Sequence, residues 1–379
     1  MNYPIYLDYN STTPVLKEVL DKMLPYYLEH FGNAASKSHP YGWMVENAVE
    51  QARENVARLI GAKAKEIIFT SGATEAINLA IKGICELYSN DRPHIISCQT
   101  EHKAVLDTLK SVEKKGAEIT LLPVDKNGQI SLIELESSIK PETRMIVLMW
   151  ANNETGVIFP IESIAEIAER HKIIFFTDAV QAVGKIPVHV HGVHMMAISA
   201  HKFYGPKGVG ALFIRHNNLL PKPVPLIDGG GHEKGFRSGT LNVPGIVGMG
   251  KAAELASIDG FNKSDRLENL RNKLEKAILE LPETSLNIGQ SRRLSHVTNI
   301  SFGGIEGEDL LRELNKEIAV SSGSACTSIS PKPSHVLAAM GVDSDLARAS
   351  VRFSLGKMTT ELDIEKAISV VKEVLSRLR

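Results

Sequence analysis

The run Glu66-Ile67-Ile68-Phe69-Thr70-Ser71-Gly72-Ala73-Thr74-Glu75-Ala76-Ile77-Asn78-Leu79-Ala80 decides the fold of this chain. Glu66 to Thr70 is a short apolar strand. Ser71-Gly72 makes a turn, and from Ala73 to Ile84 the apolar residues fall at helical spacing. The same alternation spreads outward over about residues 45 to 215. Val45 to Ile60 has helical spacing, with Gly61 as its C-cap. His94 to Cys98, Glu118 to Leu122, Arg144 to Trp150 and Ile173 to Thr177 read as buried strands between helices. Continuous apolar strands alternating with helices specify an α/β fold whose mostly parallel sheet is covered on both faces. Such sheets bind ligands beyond the carboxyl ends of their strands. Thr74, His102, Asn153 and Asp178 each follow one of these strands and are candidate site residues. Farther on, the amphipathic run Leu267 to Leu281 precedes short strands (His296 to Phe302, Val351 to Leu355) and helices (Glu308 to Asn315, Leu362 to Leu378). These predict a smaller α/β domain.

Composition narrows the function classes. The 379 residues are enough for two domains, and 43% hydrophobic with 23% charged residues is ordinary for a globular protein. A net charge of −1 argues against partners held by bulk electrostatics, so no direct nucleic-acid or membrane binding is expected. The most apolar stretch, Met145 to Ala151, is strand-sized, and the start MNYPIYLDYNSTTP has no signal-peptide pattern. Three cysteines, Cys85, Cys98 and Cys326, are odd in number and far apart. They predict a reducing, cytoplasmic setting and no disulfide framework.

Several residues carry chemistry together that none carries alone. Gly72 lets backbone N–H groups approach an anion at a helix start, with Ser71 and Thr74 as hydroxyl donors. Taken singly this turn is a plain N-cap. Asp178, at a strand end, is by itself a helix cap; in a cofactor site it would keep a pyridine nitrogen protonated. Lys202 precedes the glycine-rich GPKGVG and is placed to form a Schiff base with an aldehyde cofactor. Lys207 competes for that role; Lys202 is preferred because Ser199 and His201 lie within reach of the same phosphate. Cys326 sits among Ser, Gly, Ala and Thr in SSGSACTSISPKPSH, an exposed loop where a thiol is out of place unless it reacts.

At this point the chain resembles the NifS/IscS cysteine desulfurases, of the fold-type I, class V pyridoxal-phosphate enzymes. The likeness runs nearly end to end, through YLDYNSTTP, FGNAASKSH, FTSGATEAINLA, TEHKAVLD, NNETGV, TDAVQAVGK, SAHKFYGPKGVGAL, FRSGTLNV, SSGSACTS and RFSLGKMTT. SSGSACTS marks the group with a long cysteine loop. The resemblance implies a large pyridoxal-phosphate-binding domain over 14–258. It implies a small domain from 1–13 and 259–379 that carries the Cys326 loop. It further implies that Lys202 carries the cofactor and that Ala73, Thr74, Ser199 and His201 hold its phosphate. Thr240 completes the phosphate cup from the other subunit of a homodimer. Asp178 pairs with the pyridine nitrogen, Gln181 with the ring hydroxyl, and His102 stacks on the ring and relays protons. Asn153 and Arg352, with Asn33 nearby, grip the carboxylate of an L-cysteine substrate. Cys326 takes the sulfur as a persulfide and alanine leaves. The sulfur then goes to an iron–sulfur scaffold protein, with tRNA thiolation as a second destination. No resident metal is implied, although a nascent iron–sulfur cluster would contact Cys326 transiently.

Other features depart from this pattern or read as packing. His189, His191 and His194 stand where the family usually has aspartates near two of the positions; the spacing can hold a metal, but they read first as partly exposed loop residues. His232 stands where the family commonly has Gln. The chain ends at Leu378-Arg379, short of the tail many members use at the scaffold interface. Cys85, Cys98, Trp43 and Trp150 read as packing residues. Three rival readings are a class V aminotransferase, which has no need of a loop cysteine, a selenocysteine lyase, and a sulfur-relay scaffold without chemistry of its own.

Overall fold

The structure is a computed structural model, and it describes residues 3–216, 221–259, 264–322 and 333–379. The strands are β1 (Ile5–Tyr6), β2 (Ile67–Thr70), β3 (His94–Cys98), β4 (Glu118–Leu122), β5 (Thr143–Val147), β6 (Ile174–Asp178), β7 (Met195–Ser199), β8 (Gly210–Ile214), β9 (Thr284–Leu286), β10 (Val297–Phe302), β11 (Ile318–Ala319) and β12 (Ser350–Ser354). The largest sheet has seven strands in the order β2-β8-β7-β6-β5-β3-β4. Its neighbours are parallel except at β8, which runs antiparallel to both β2 and β7.

Successive strand residues point to opposite faces, and both faces are buried. Ile67, Phe69, Ile96, Ile146, Phe175, Met196 and Phe213 pack into one core. Ile68, Ile95, Met145, Phe176, Met195 and Leu212 pack into the other. That is why these strands read as unbroken apolar runs. β4 departs from the sequence reading: Glu118 and Leu121 are exposed. It is the last strand of the sheet, with β3 as its one neighbour, and an edge strand is covered less completely.

A third core surrounds the antiparallel sheet β12-β10-β9 and the parallel pair β1–β11. Leu7, at the end of β1, lies in it, and so do Ile300, Phe353 and Val371 of the chain's last third. The chain then leaves β1, bridges from Asp8 to Ser354, and crosses to the seven-stranded sheet at Thr13, whose N–H donates to His201 O at 2.9 Å. The N-terminal segment therefore runs between the two sheets, along the ends of the strands that carry the candidate residues.

Trp150 is buried, as expected, whereas Trp43 is 53% exposed and donates from its ring to Lys37 O at 2.7 Å. Cys85 and Cys98 are buried. No helix among the described residues is long and apolar enough to cross a membrane.

Candidate active site

The parallel strands end at a cleft of about 590 Å³. Ala73, Thr74, His102, Asn153, Asp178, Gln181, Ser199, His201, Lys202 and Arg352 all line it, so ten of the candidate residues converge from separate elements. The sheet explains the convergence, because loops leaving parallel strands share one edge.

At one end of the cleft begins the helix Ala73–Leu87. Its N-cap is Gly72, at φ +158°, and no side chain caps it. Its first N–H groups are open toward the cleft, which makes the positive end of the helix available to an anion. Glu75, in the same turn, also lines the cleft, but its carboxylate is already engaged. Its carboxylate accepts from Ser71 N–H at 2.7 Å and from Arg237 Nε at 2.9 Å. His201 adds a ring held by Thr12, with Nδ1 to Oγ1 at 3.1 Å. Burial, with Lys202 next, pulls the His201 pKa down to about 4, so its imidazole is neutral at pH 7.

Asp178 closes β6, buried, with Oδ1 accepting from Val180 N–H at 3.0 Å. Burial raises its pKa, opposed by His102 and Lys202. Lys202 lines the same cleft. Its Nζ donates to Asn10 O and Ser11 O, each at 2.7 Å. Burial, and then the Arg352 charge, pull its pKa from 10.5 to about 8. Lys207 also lines the cleft but is exposed, so the buried environment that activates an amine belongs to Lys202.

His102 caps the helix Lys103–Glu113: its Nδ1 accepts from Ala104 N–H at 3.1 Å, which places the ring proton on Nε2. Solvent reaches the ring through the open cleft, yet burial around it still lowers its pKa. Arg352 is 1% exposed, and its fork is held by Asp8 Oδ1 at 2.6 Å, Ser11 Oγ at 2.9 Å and Asn153 O at 2.9 Å.

One expected residue is not brought to this cleft. Asn33 is exposed, and its side-chain oxygen accepts from Ala35 N–H at 2.9 Å. Thr240 is exposed and lies outside the lining of its own chain's cleft. Cys326 lies outside the described residues. The histidine cluster dissolves. His194 Nδ1 accepts from Phe175 N–H at 2.9 Å, while His189 meets Glu162 at 3.2 Å. Among the described residues, no group of three or more His, Cys, Asp or Glu is placed to hold a metal.

The sequence reading missed four residues. Asp8 and Ser11 hold the Arg352 fork. Asn10, 1% exposed, joins Lys202, Gln181, Asn153, His296 and Ser354. Glu101, buried and accepting from Met149 N–H at 2.7 Å, has its carboxyl pushed up to about 8 by burial and then by Asp178. The available signal was the polar run DYNSTTP after a short strand, where a plain loop would not need to be buried.

An open helix start, a lysine of lowered pKa and a buried acid in one cleft suit a ligand that carries a phosphate, an aldehyde and a basic ring nitrogen. Comparison with known proteins bears this out. The family described as aminotransferase class-V matches residues 5–367. The chain belongs to the class-V aminotransferase family. Within this family it is 50% identical to a protein named cysteine desulfurase IscS from Anaeromyxobacter sp. (strain Fw109-5), over 100% of this chain and 94% of that one. Among solved structures it is similar to a NifS-like protein, with a TM-score of 0.92 and 38% identity over 99% of this chain and all of the other. It is also similar to SspA in complex with cysteine, with a TM-score of 0.82 and 39% identity over 93% and 98% of the two chains. Members of this family use pyridoxal phosphate, and the cleft fits it.

Proposed function

We propose that this protein is a pyridoxal-phosphate-dependent cysteine desulfurase that converts L-cysteine to L-alanine and keeps the sulfur as a persulfide on Cys326. The observation that carries the chemistry is Lys202, an amine of lowered pKa that shares one cleft with an uncapped helix start and a buried acid. The choice of substrate rests on the full-length likeness to cysteine desulfurases.

Pyridoxal phosphate, when bound, supplies an electron sink for the charge left as a substrate Cα loses its proton. The residues do the rest. Ala73 N–H, Thr74, Ser199 and His201 hold the phosphate. Asp178 holds the ring nitrogen, and Gln181 the ring oxygen. Arg352 exchanges part of its hold on Asp8, Ser11 and Asn153 for the substrate carboxylate, whose two oxygens match its planar fork. Lys202, as a free amine, would take the Cα proton, and His102 would donate a proton through Nε2. The thiolate of Cys326 attacks the substrate sulfur. The substrate C–S bond breaks, an S–S bond forms on Cys326, and the carbon gains a proton to become the methyl of alanine. Cys326 must be deprotonated for this, since an ordinary thiol near pKa 8.5 is only a few per cent ionised at pH 7.

The wider setting is part of the same proposal. Tyr27, Leu28, Phe31, Tyr41 and Trp43 form an exposed apolar stretch, and Thr240 is exposed; both suit a homodimer in which Thr240 serves the partner's cleft. The separate core around the small sheet supports a division into 14–258 and 1–13 with 259–379. We place the enzyme in the cytoplasm, passing sulfur to an iron–sulfur scaffold, with tRNA thiolation as a further outlet.

The test is alanine release from L-cysteine by purified holoprotein with a reductant and no keto acid. Alanine matched one for one by sulfide is expected, and it disappears in Cys326→Ala. Protein that holds pyridoxal phosphate yet releases no alanine would overturn the reading in favour of an aminotransferase or a selenocysteine lyase.

A further inference from the structure

Lys185 is not needed by the reaction as set out above, and its surroundings are unusual. It follows Gly184, which sits at φ +76°, where an added Cβ would come within 2.6 Å of Phe203 Cβ. This tight turn brings the Lys185 side chain back against Gln181, and Nζ donates to Gln181 Oε1 at 2.6 Å. Lys185 also lines a cavity of about 100 Å³, together with Lys202, Tyr9 and His296. Among the described residues, no Asp or Glu lines that cavity, so none of their carboxylates there compensates the lysine. A largely enclosed amine whose one hydrogen-bond partner among the described residues is a neutral amide is costly, and a methionine would fill the same space at lower cost. What only the lysine provides is an N–H directed at Gln181 Oε1.

That contact fixes the amide. The other end of Gln181, Nε2, donates to Asn10 O at 3.0 Å. A lysine amine donates and a main-chain carbonyl accepts, so both neighbours demand the same orientation. Reversing the amide would set donor against donor and acceptor against acceptor. Gln181 lines the cleft and is buried, and it keeps one N–H beyond the one given to Asn10. We propose that Lys185 is a positioning residue which locks and polarises the Gln181 amide, so that Gln181 meets the cofactor's ring oxygen as a hydrogen-bond donor. The inference rests on the reading of this cleft as a pyridoxal-phosphate site.

Cofactor-free protein titrated with pyridoxal phosphate and followed by absorbance tests it without an activity assay. Lys185→Met and Gln181→Ala should each raise the dissociation constant about fivefold, as one lost hydrogen bond predicts. Each should move the visible band in the same direction. The double variant should be no worse than either single one, because Lys185 acts through Gln181. Lys185→Arg, which keeps a donor, should stay within about twofold of the wild type. Gln181→Glu guards against a Lys185→Met protein that does not fold: its carboxylate pairs with Lys185, the fold is kept, and the donor to the ring is lost. It too should bind the cofactor more weakly. Effects that multiply in the double variant, or a Gln181→Glu protein that binds like the wild type, would overturn the proposal. A wild type that takes up no pyridoxal phosphate would instead overturn the function assigned to the cleft.

Discussion

At the scale of single residues, the site is governed by desolvation more than by ion pairing. Lys202 is the clearest case, because burial and the Arg352 charge bring its pKa from 10.5 to about 8. The sign follows directly. Below pH 8 the folded protein carries the full penalty of a buried ammonium, and that penalty is relieved as pH rises from 8 toward 10.5. Only the neutral amine attacks an aldehyde. Capture of pyridoxal phosphate by cofactor-free protein should therefore accelerate with pH through a midpoint near 8 and then level off. Stopped-flow absorbance across pH 6 to 10.5 measures this, and a rate still climbing at pH 10 would contradict it. Lys202 and Asp178 were legible in the sequence because each sits at a strand end, in a local pattern. Asp8 and Ser11 were not, because what they do is defined by Arg352, more than three hundred residues away in the chain.

At the scale of elements, the segment from Gly229 to Thr240 shows how a loop without regular structure is held rigid. Glu233 and Lys234 adopt left-handed φ angles of +46° and +59°, costly for residues with side chains. The Glu233 carboxylate compensates. It accepts from Arg53 Nη1 at 2.7 Å and Nη2 at 2.8 Å, and from the Phe69 N–H of β2 at 2.7 Å. Both partners are almost fully buried. The loop is thus pinned to the helix Pro40–Leu59 and to the strand that leads into the phosphate end of the cleft. Glu233→Ala would strand a buried guanidinium and an N–H group. It should lower stability by about 3–5 kcal/mol, read from the denaturant midpoint. A loss under 1 kcal/mol would mean that water reaches Arg53 and replaces the carboxylate. The sequence GGGHEKGFRSGT marks a turn-rich loop, but gives no sign that its glutamate is the anchor. A buried ion pair looks the same in sequence as two surface charges.

At the scale of the whole molecule, the N-terminal segment ties the two sheets together at the cleft. Asn10 makes the tie. Its N–H donates to Ser354 Oγ of β12 at 2.9 Å, across 344 residues of sequence. Its side chain joins Asn153 O at 3.0 Å and His296 Nε2 at 2.9 Å, and its carbonyl holds Gln181 and Lys202. Asn10→Ala would leave two buried partners unmatched. The expected loss is about 2–4 kcal/mol of stability, with weaker cofactor binding, since removing one partner of a buried hydrogen bond costs about 1–3 kcal/mol. Thermal unfolding of the cofactor-free protein separates the stability loss from the binding loss. An unchanged midpoint would show that Asn10 is dispensable to the join.

The sequence by itself determined the large sheet, because strands buried on both faces must be apolar throughout and helices between them must be amphipathic. It also determined the chemical ends of the cleft, since a glycine turn, an acid at a strand end and a lysine before a glycine run are local features. The tertiary structure alone decided which polar groups meet. The antiparallel strand β8 and the edge position of β4 follow from strand order, which short-range patterns do not encode. The contacts of Asn10, Lys185, Asp8 and Glu233 follow from folding distant segments against one another. Whether a polar residue is a solvated surface group or a buried anchor depends on what packs over it, and that is settled only when the chain has closed.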